Sequence, residues 1–120
     1  MSEPAFDWSQ AASLLGEDPN QVSEDMAAIV LELVESSTER LQELKAMNAE
    51  TELPAIRSLA HQLRGSLLNF GFTAVGLVLL DIEKKEYPAA AFPGMADEAI
   101  AVFGTSKQLL GKRYPTLKIA

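Results

Sequence analysis

The sequence predicts an all-α protein: an antiparallel bundle of helices folded as a single domain over residues 1–120. Three observations predict it. Apolar residues recur at the i, i+3, i+4, i+7 spacing of a helix with one buried face. No stretch sustains the period-two alternation of a half-buried strand, and β-branched residues are sparse outside the helical patterns. Short clusters of glycine, proline and polar residues separate the periodic stretches, as connections between antiparallel helices do.

Residues 4–15 read as a short entry helix that Phe6, Trp8, Ala12 and Leu15 seat on the bundle, with Asp7 or Ser9 as cap. Gly16-Glu17-Asp18-Pro19-Asn20 is a turn cluster. Residues 21–47 carry the longest periodic signal, with Val22, Met26, Ile29, Val30, Leu33, Ser37, Leu41 and Leu44 on one stripe. Glu24 and Asp25 suit the positive end of that helix. Glu32, Glu35, Glu39, Arg40 and Glu43 form its solvated face. A third helix follows over residues 54–70, capped by Glu50 or Thr51, with Pro54 in its first turn, where a missing N–H costs nothing. Gly71 suits a left-handed C-terminal position. Thr73 caps a fourth helix over residues 74–86, whose run from Val75 to Ile82 is apolar on nearly every side. Pro88 and Pro93 make residues 87–94 a loop. A last helix spans residues 95–112, with Met95, Ala99, Val102, Phe103, Leu109 and Leu110 inward, and residues 113–120 form a tail.

Composition excludes several functions. The chain has 120 residues, 48% hydrophobic and 22% charged, which is ordinary for a globular domain. A net charge of −7 opposes general binding to nucleic acid, which needs a basic surface, and opposes an anionic membrane face. No apolar run approaches the roughly 20 residues of a membrane span, and Met1-Ser2-Glu3-Pro4 has no leader character. There are no cysteines, so disulfides and thiolate metal sites are excluded and a cytoplasmic location is expected.

The one histidine of the chain is His61. When residues 54–70 are projected at about 100° per residue, Ile56, Leu59, Ala60, Leu63, Leu67 and Phe70 share the core face. His61 falls roughly 140° from the centre of that stripe and should be exposed. Its neighbours are Arg57, Arg64, Gly65 and Leu68, at i−4, i+3, i+4 and i+7. Gly65 costs a helix interior about 1 kcal/mol relative to alanine, and it opens the imidazole to approach. Arg57 and Arg64 set two cations near the ring in an acidic protein, and Leu68 adds outward apolar surface. No Gly-x-Ser-x-Gly elbow, phosphate loop or His/Cys ligand set occurs, so hydrolase, nucleotide-binding and zinc readings fall away. A single exposed imidazole serves well as a nucleophile near neutral pH. Arg64 can partly neutralise a phosphoryl group on Nε2, provided an acceptor holds the proton on Nδ1. With no cofactor site of its own, the chain must receive phosphate from another protein and return it to one.

The run His61-Gln62-Leu63-Arg64-Gly65-Ser66, followed by Asn69-Phe70-Gly71-Phe72, resembles the histidine-containing phosphotransfer (HPt) domain family. The family pattern is His-x-[Leu/Ile]-[Lys/Arg]-Gly-[Ser/Gly/Ala], with a second glycine ten positions after the histidine, here Gly71. The resemblance covers roughly residues 8–86. It implies a four-helix bundle with a short N-terminal helix, and it implies that His61 is the phosphoacceptor. Arg64 stands where the family usually places a lysine on the phosphoryl group, a change of geometry at constant charge. Gly65 stands where the family leaves access. A glutamine or glutamate 22 positions after the histidine often bonds Nδ1, and here that position is Glu83.

The resemblance implies a monomeric phosphocarrier, not an enzyme, that exchanges phosphoryl groups with response-regulator receiver domains downstream of a sensor or hybrid histidine kinase. The Mg²⁺ is expected on the receiver. Arg57, His61, Arg64 and Leu68 are the expected partner-binding residues. A docking module that never carries phosphate and direct phosphorylation by a kinase are the alternatives. The Gly71-Phe72 ending also resembles the phosphoacceptor domain of chemotaxis histidine kinases, although a free-standing shuttle is the expected form.

Overall fold

A computed structural model describes residues 6–16, 18, 20–117 and 119. Residues 4 and 5 of the expected entry helix, two members of the turn cluster (Glu17 and Pro19), and Lys118 and Ala120 of the expected tail lie outside them. The described residues form five α-helices and no strand: α1 (Trp8–Leu15), α2 (Glu24–Ala46), α3 (Leu53–Asn69), α4 (Thr73–Lys84) and α5 (Phe92–Arg113). The all-α expectation holds. Helices α2 to α5 are the bundle, with α2 packed on α3 and α5, and α4 packed on the same two. The short connections between successive helices make them antiparallel neighbours.

The caps show where each helix begins. The Asp7 carboxylate accepts from the backbone N–H of Ser9 and Gln10, and Ser23 Oγ accepts from Met26 N, so α2 starts three residues later than the periodicity suggests. The helix α3 begins after Glu52 rather than Glu50 or Thr51. Phe72, not Thr73, is the N-cap of α4; Thr73 is its first helical residue. Pro93 misleads in the other direction. It lies in the first turn of α5, a position proline favours, so that helix starts at Phe92 inside the expected loop.

Leu41, Leu44, Ile56, Leu67, Val75, Leu79, Ile82, Ala99 and Leu110 build the core. Ile29 and Leu109, expected inward, are exposed. So is Leu77, on the helix expected to be the most buried. The expected tail instead closes the bundle: Tyr114 and Leu117 are buried, and Tyr114 Oη donates to Gly16 O at 3.0 Å.

Gly71 joins the functional helix to the entry segment. Its φ is +91°, which only glycine adopts without strain. A Cβ there would lie 2.7 Å from Asp7 O and 3.0 Å from a Phe6 ring carbon. Asp7 N donates to Gly71 O at 2.7 Å, and Phe6 packs edge-on against Phe72 with ring centroids 4.6 Å apart. The turn that ends α3 is therefore also the seat of the N-terminal segment.

Candidate functional site

Helix α3 buries Ile56, Ala60, Leu63 and Leu67, which turns His61 outward with its side chain 64% exposed. Along one edge of α3, residues 57, 61 and 64 follow one another at helical spacing, and all three reach the last turn of α4. There Glu83 is buried, its side chain only 8% exposed. Nδ1 of His61 lies 2.9 Å from Glu83 Oε2. Arg64 Nε donates to Glu83 Oε1 at 3.0 Å, and Lys84 Nζ lies 3.3 Å from Oε2. Burial alone pushes the Glu83 carboxyl up. The hydrogen bonds from Arg64, His61 and Lys84 outweigh that and hold it below the usual glutamate range. An ionised carboxylate is an acceptor only, so the Nδ1 that faces it is the donor of this contact, which in a neutral ring leaves the lone pair on Nε2.

Arg57 is placed differently from expectation. Its guanidinium is not left as a solvent-facing cation but is tied to backbone carbonyls of α4. Nη1 donates to Glu83 O, Nη2 donates to Lys85 O at 2.9 Å, and the group lies 5.3 Å from the centre of the Tyr87 ring. The reason is the end of α4, whose last carbonyls have no partner within the helix. Burial pushes the Tyr87 phenol up, and the Arg57 charge draws it partly back.

Leu68 also differs from a free apolar knob. It is 37% exposed, and its side chain lies over Gly76 of α4, where a Cβ would come within 2.7 Å of Leu68 Cδ2. On the other side of His61, the Gly65 position opens onto solvent, with no atom within 4 Å of an added Cβ. A groove between α2 and α3 runs from there, lined by Leu33, Ser36, Arg40, His61, Gln62 and Ser66 among others. Arg40 Nη1 donates to Gln62 Oε1 across it at 3.4 Å.

The structure thus brings His61, Arg64 and Glu83 into direct contact, leaves Gly65 open beside them, and commits Arg57 to the α4 backbone. Four further residues belong to this region without a sequence signal that assigns them to it. Lys84 registers in the sequence only as a helix-end cation. Arg40 registers as part of a solvated face, although a cation amid Glu35, Glu39 and Glu43 is itself a signal. Tyr87 falls in the expected loop over residues 87–94, and Gly76 falls within an apolar run.

The family model of the Hpt domain matches residues 28–109. The chain belongs to the Hpt domain family. Hpt domains are helical bundles that carry a phosphoryl group on histidine in two-component phosphorelays, exchanging it with receiver domains and histidine kinases. The only histidine available to this Hpt domain, His61, falls inside the matched span. No curated protein and no solved structure matches the chain. Among the described residues, no helix is long and apolar enough to cross a membrane, and no three His, Cys, Asp or Glu side chains group as metal ligands.

Proposed function

We propose that this Hpt domain is a phosphocarrier whose His61 Nε2 takes a phosphoryl group from the aspartyl phosphate of one receiver domain and delivers it to the aspartate of another. The observation that carries this reading is the 2.9 Å contact of Nδ1 with Glu83 Oε2, made by an imidazole that is otherwise exposed. The contact favours the tautomer protonated on Nδ1, so the outward nitrogen is the nucleophile. The Nε2 lone pair attacks phosphorus. The N–P bond forms as the P–O bond to the aspartyl carboxyl breaks, and the electron pair leaves with that carboxylate. The proton stays on Nδ1. Positive charge that develops on the ring faces the Glu83 carboxylate, which stabilises it as the acid of a catalytic triad stabilises its imidazolium. Delivery is the reverse step on a second receiver.

Arg64 holds the other oxygen of Glu83 and keeps a cation beside the ring, favourable for an incoming phosphoryl group. Gly65 leaves room for the receiver's acidic site to approach. Leu68 and the α2–α3 groove supply the surface on which the receiver rests. The Mg²⁺ of the reaction is the receiver's, and this protein contributes no cofactor. It acts as a monomer, in the cytoplasm, downstream of a sensor or hybrid kinase.

Incubation with a radiolabelled phospho-receiver and Mg²⁺ is expected to transfer acid-labile label to this protein and to leave the His61→Gln variant unlabelled. Label on His61→Gln equal to wild type overturns the assignment. Labelling by a kinase and ATP with no receiver present makes the kinase the direct donor.

A further inference from the structure

We infer that Arg57 is a positioning residue for this reaction, acting on His61 through the backbone of Glu83. The inference rests on the reading of His61 and Glu83 above and adds what holds Glu83 in place. The carboxylate that fixes the imidazole stands on the final turn of a 12-residue helix, next to the C-cap Lys85. Helix ends fray, because their last carbonyls lack intrahelical partners. Three such carbonyls are met from outside. Tyr87 Oη donates to Ile82 O at 2.8 Å, and the two terminal nitrogens of Arg57 donate to Glu83 O and Lys85 O. The guanidinium therefore spans the backbone on both sides of residue 84, backed by the Tyr87 ring.

This grip has a specific geometry. Arg57, His61 and Arg64 lie on one edge of α3, and all three act on the same residue of α4. Arg57 takes its main chain, His61 takes Oε2 and Arg64 takes Oε1. The helix that carries the nucleophile also holds the orienting carboxylate at its backbone. A planar, five-donor guanidinium can bridge two carbonyls in this way; an ammonium on a flexible stem is a point donor. Without the bridge the last turn of α4 opens, Glu83 swings from Nδ1, and the form protonated on Nε2 gains population. That form has no lone pair at the attacking nitrogen.

The test reads the imidazole directly. His61 is the only histidine, so ¹H–¹⁵N correlation spectra of the side chain at a pH where it is neutral contain one ring. Wild type is expected to show protonation on Nδ1. Arg57→Gln and Arg57→Lys, measured below their melting temperatures, are each expected to show a mixture of tautomers. Transfer from a phospho-receiver should slow by roughly three- to tenfold, below the 10–100-fold cost of losing the partner that orients a metal-bound histidine. Wild-type tautomer in folded Arg57→Gln overturns the inference. Wild-type tautomer in Arg57→Lys also overturns it, since charge alone would then suffice. The tautomer readout needs no phosphate. A wild-type protein that no phospho-receiver or kinase labels therefore defeats the phosphocarrier reading, while the tautomer spectra still decide whether Arg57 sets the state of His61.

Discussion

Replacing Gly65 with alanine should make the protein more stable and less active. The position lies inside α3, four residues after His61, and an added Cβ has no atom within 4 Å. The methyl group therefore meets no clash and fills no hole, and only the backbone preference changes. Alanine in a helix interior is favoured over glycine by about 1 kcal/mol. For a chain of this length that corresponds to a rise in melting temperature of about 4 °C. The same methyl group stands beside the imidazole, on the side where the groove between α2 and α3 opens, and it narrows the approach of a receiver. Thermal melts and urea titrations of Gly65→Ala should show the gain, and timed transfer from a phospho-receiver should show the loss. A lower melting temperature refutes the reasoning, because it would mean that the glycine serves packing. An unchanged transfer rate refutes the claim that it serves access.

The second glycine of the motif should behave in the opposite way. Gly71→Ala incurs left-handed strain of about 1–2 kcal/mol and displaces the segment that donates to Gly71 O. A total near 3 kcal/mol and a fall in melting temperature of roughly 12 °C are expected. Glu83 makes stability depend on acid. Its folded carboxyl sits below the ordinary value of 4.5, so its contribution is complete well above that pH and is lost as pH falls through the folded value. The stability difference between wild type and Glu83→Gln should shrink as pH falls below about 4.5; a difference that keeps growing on acidification through that range contradicts this. Leu68→Asp should cost about 1 kcal/mol through its lost packing over Gly76 and weaken receiver binding more than it weakens the fold, as denaturation and titration calorimetry together can show.

Periodicity reads each helix well on its own and its neighbours poorly. The stripe Ile56, Ala60, Leu63, Leu67 is enough to turn His61 outward, because orientation about one axis depends only on that helix. Which α4 residues lie level with His61 depends on how α3 and α4 slide past each other, and residues 57, 61 and 64 carry no record of that. Glu83 is marked by the family resemblance, not by the helical projection. The role of Arg57 on α4 is illegible for the same reason: its place on α3 follows from the helical period, but the carbonyls it serves belong to another helix. Pro93 and the last residues failed locally. A proline marks a helix start as well as a loop, and Tyr114 and Leu117 are too few to show a period although both are buried.

The seating of α1 bears on the order in which the domain assembles and comes apart. At eight residues it is shorter than the ~12–15 that an isolated helix needs to persist in water. Besides its packing on α2, its hydrogen-bonded ties reach far along the chain: Gln10 to Asn69 across 59 residues, and the C-cap Gly16 to Tyr114 across 98. Such contacts form only after the ends they join have been brought together by other structure. Helix α1 should therefore dock last during folding and detach first under native conditions. Its amides should exchange with solvent sooner than those of α3 and α4. What its detachment frees is the C-terminal turn of α3, at Asn69 and Gly71, about two turns along that helix from His61.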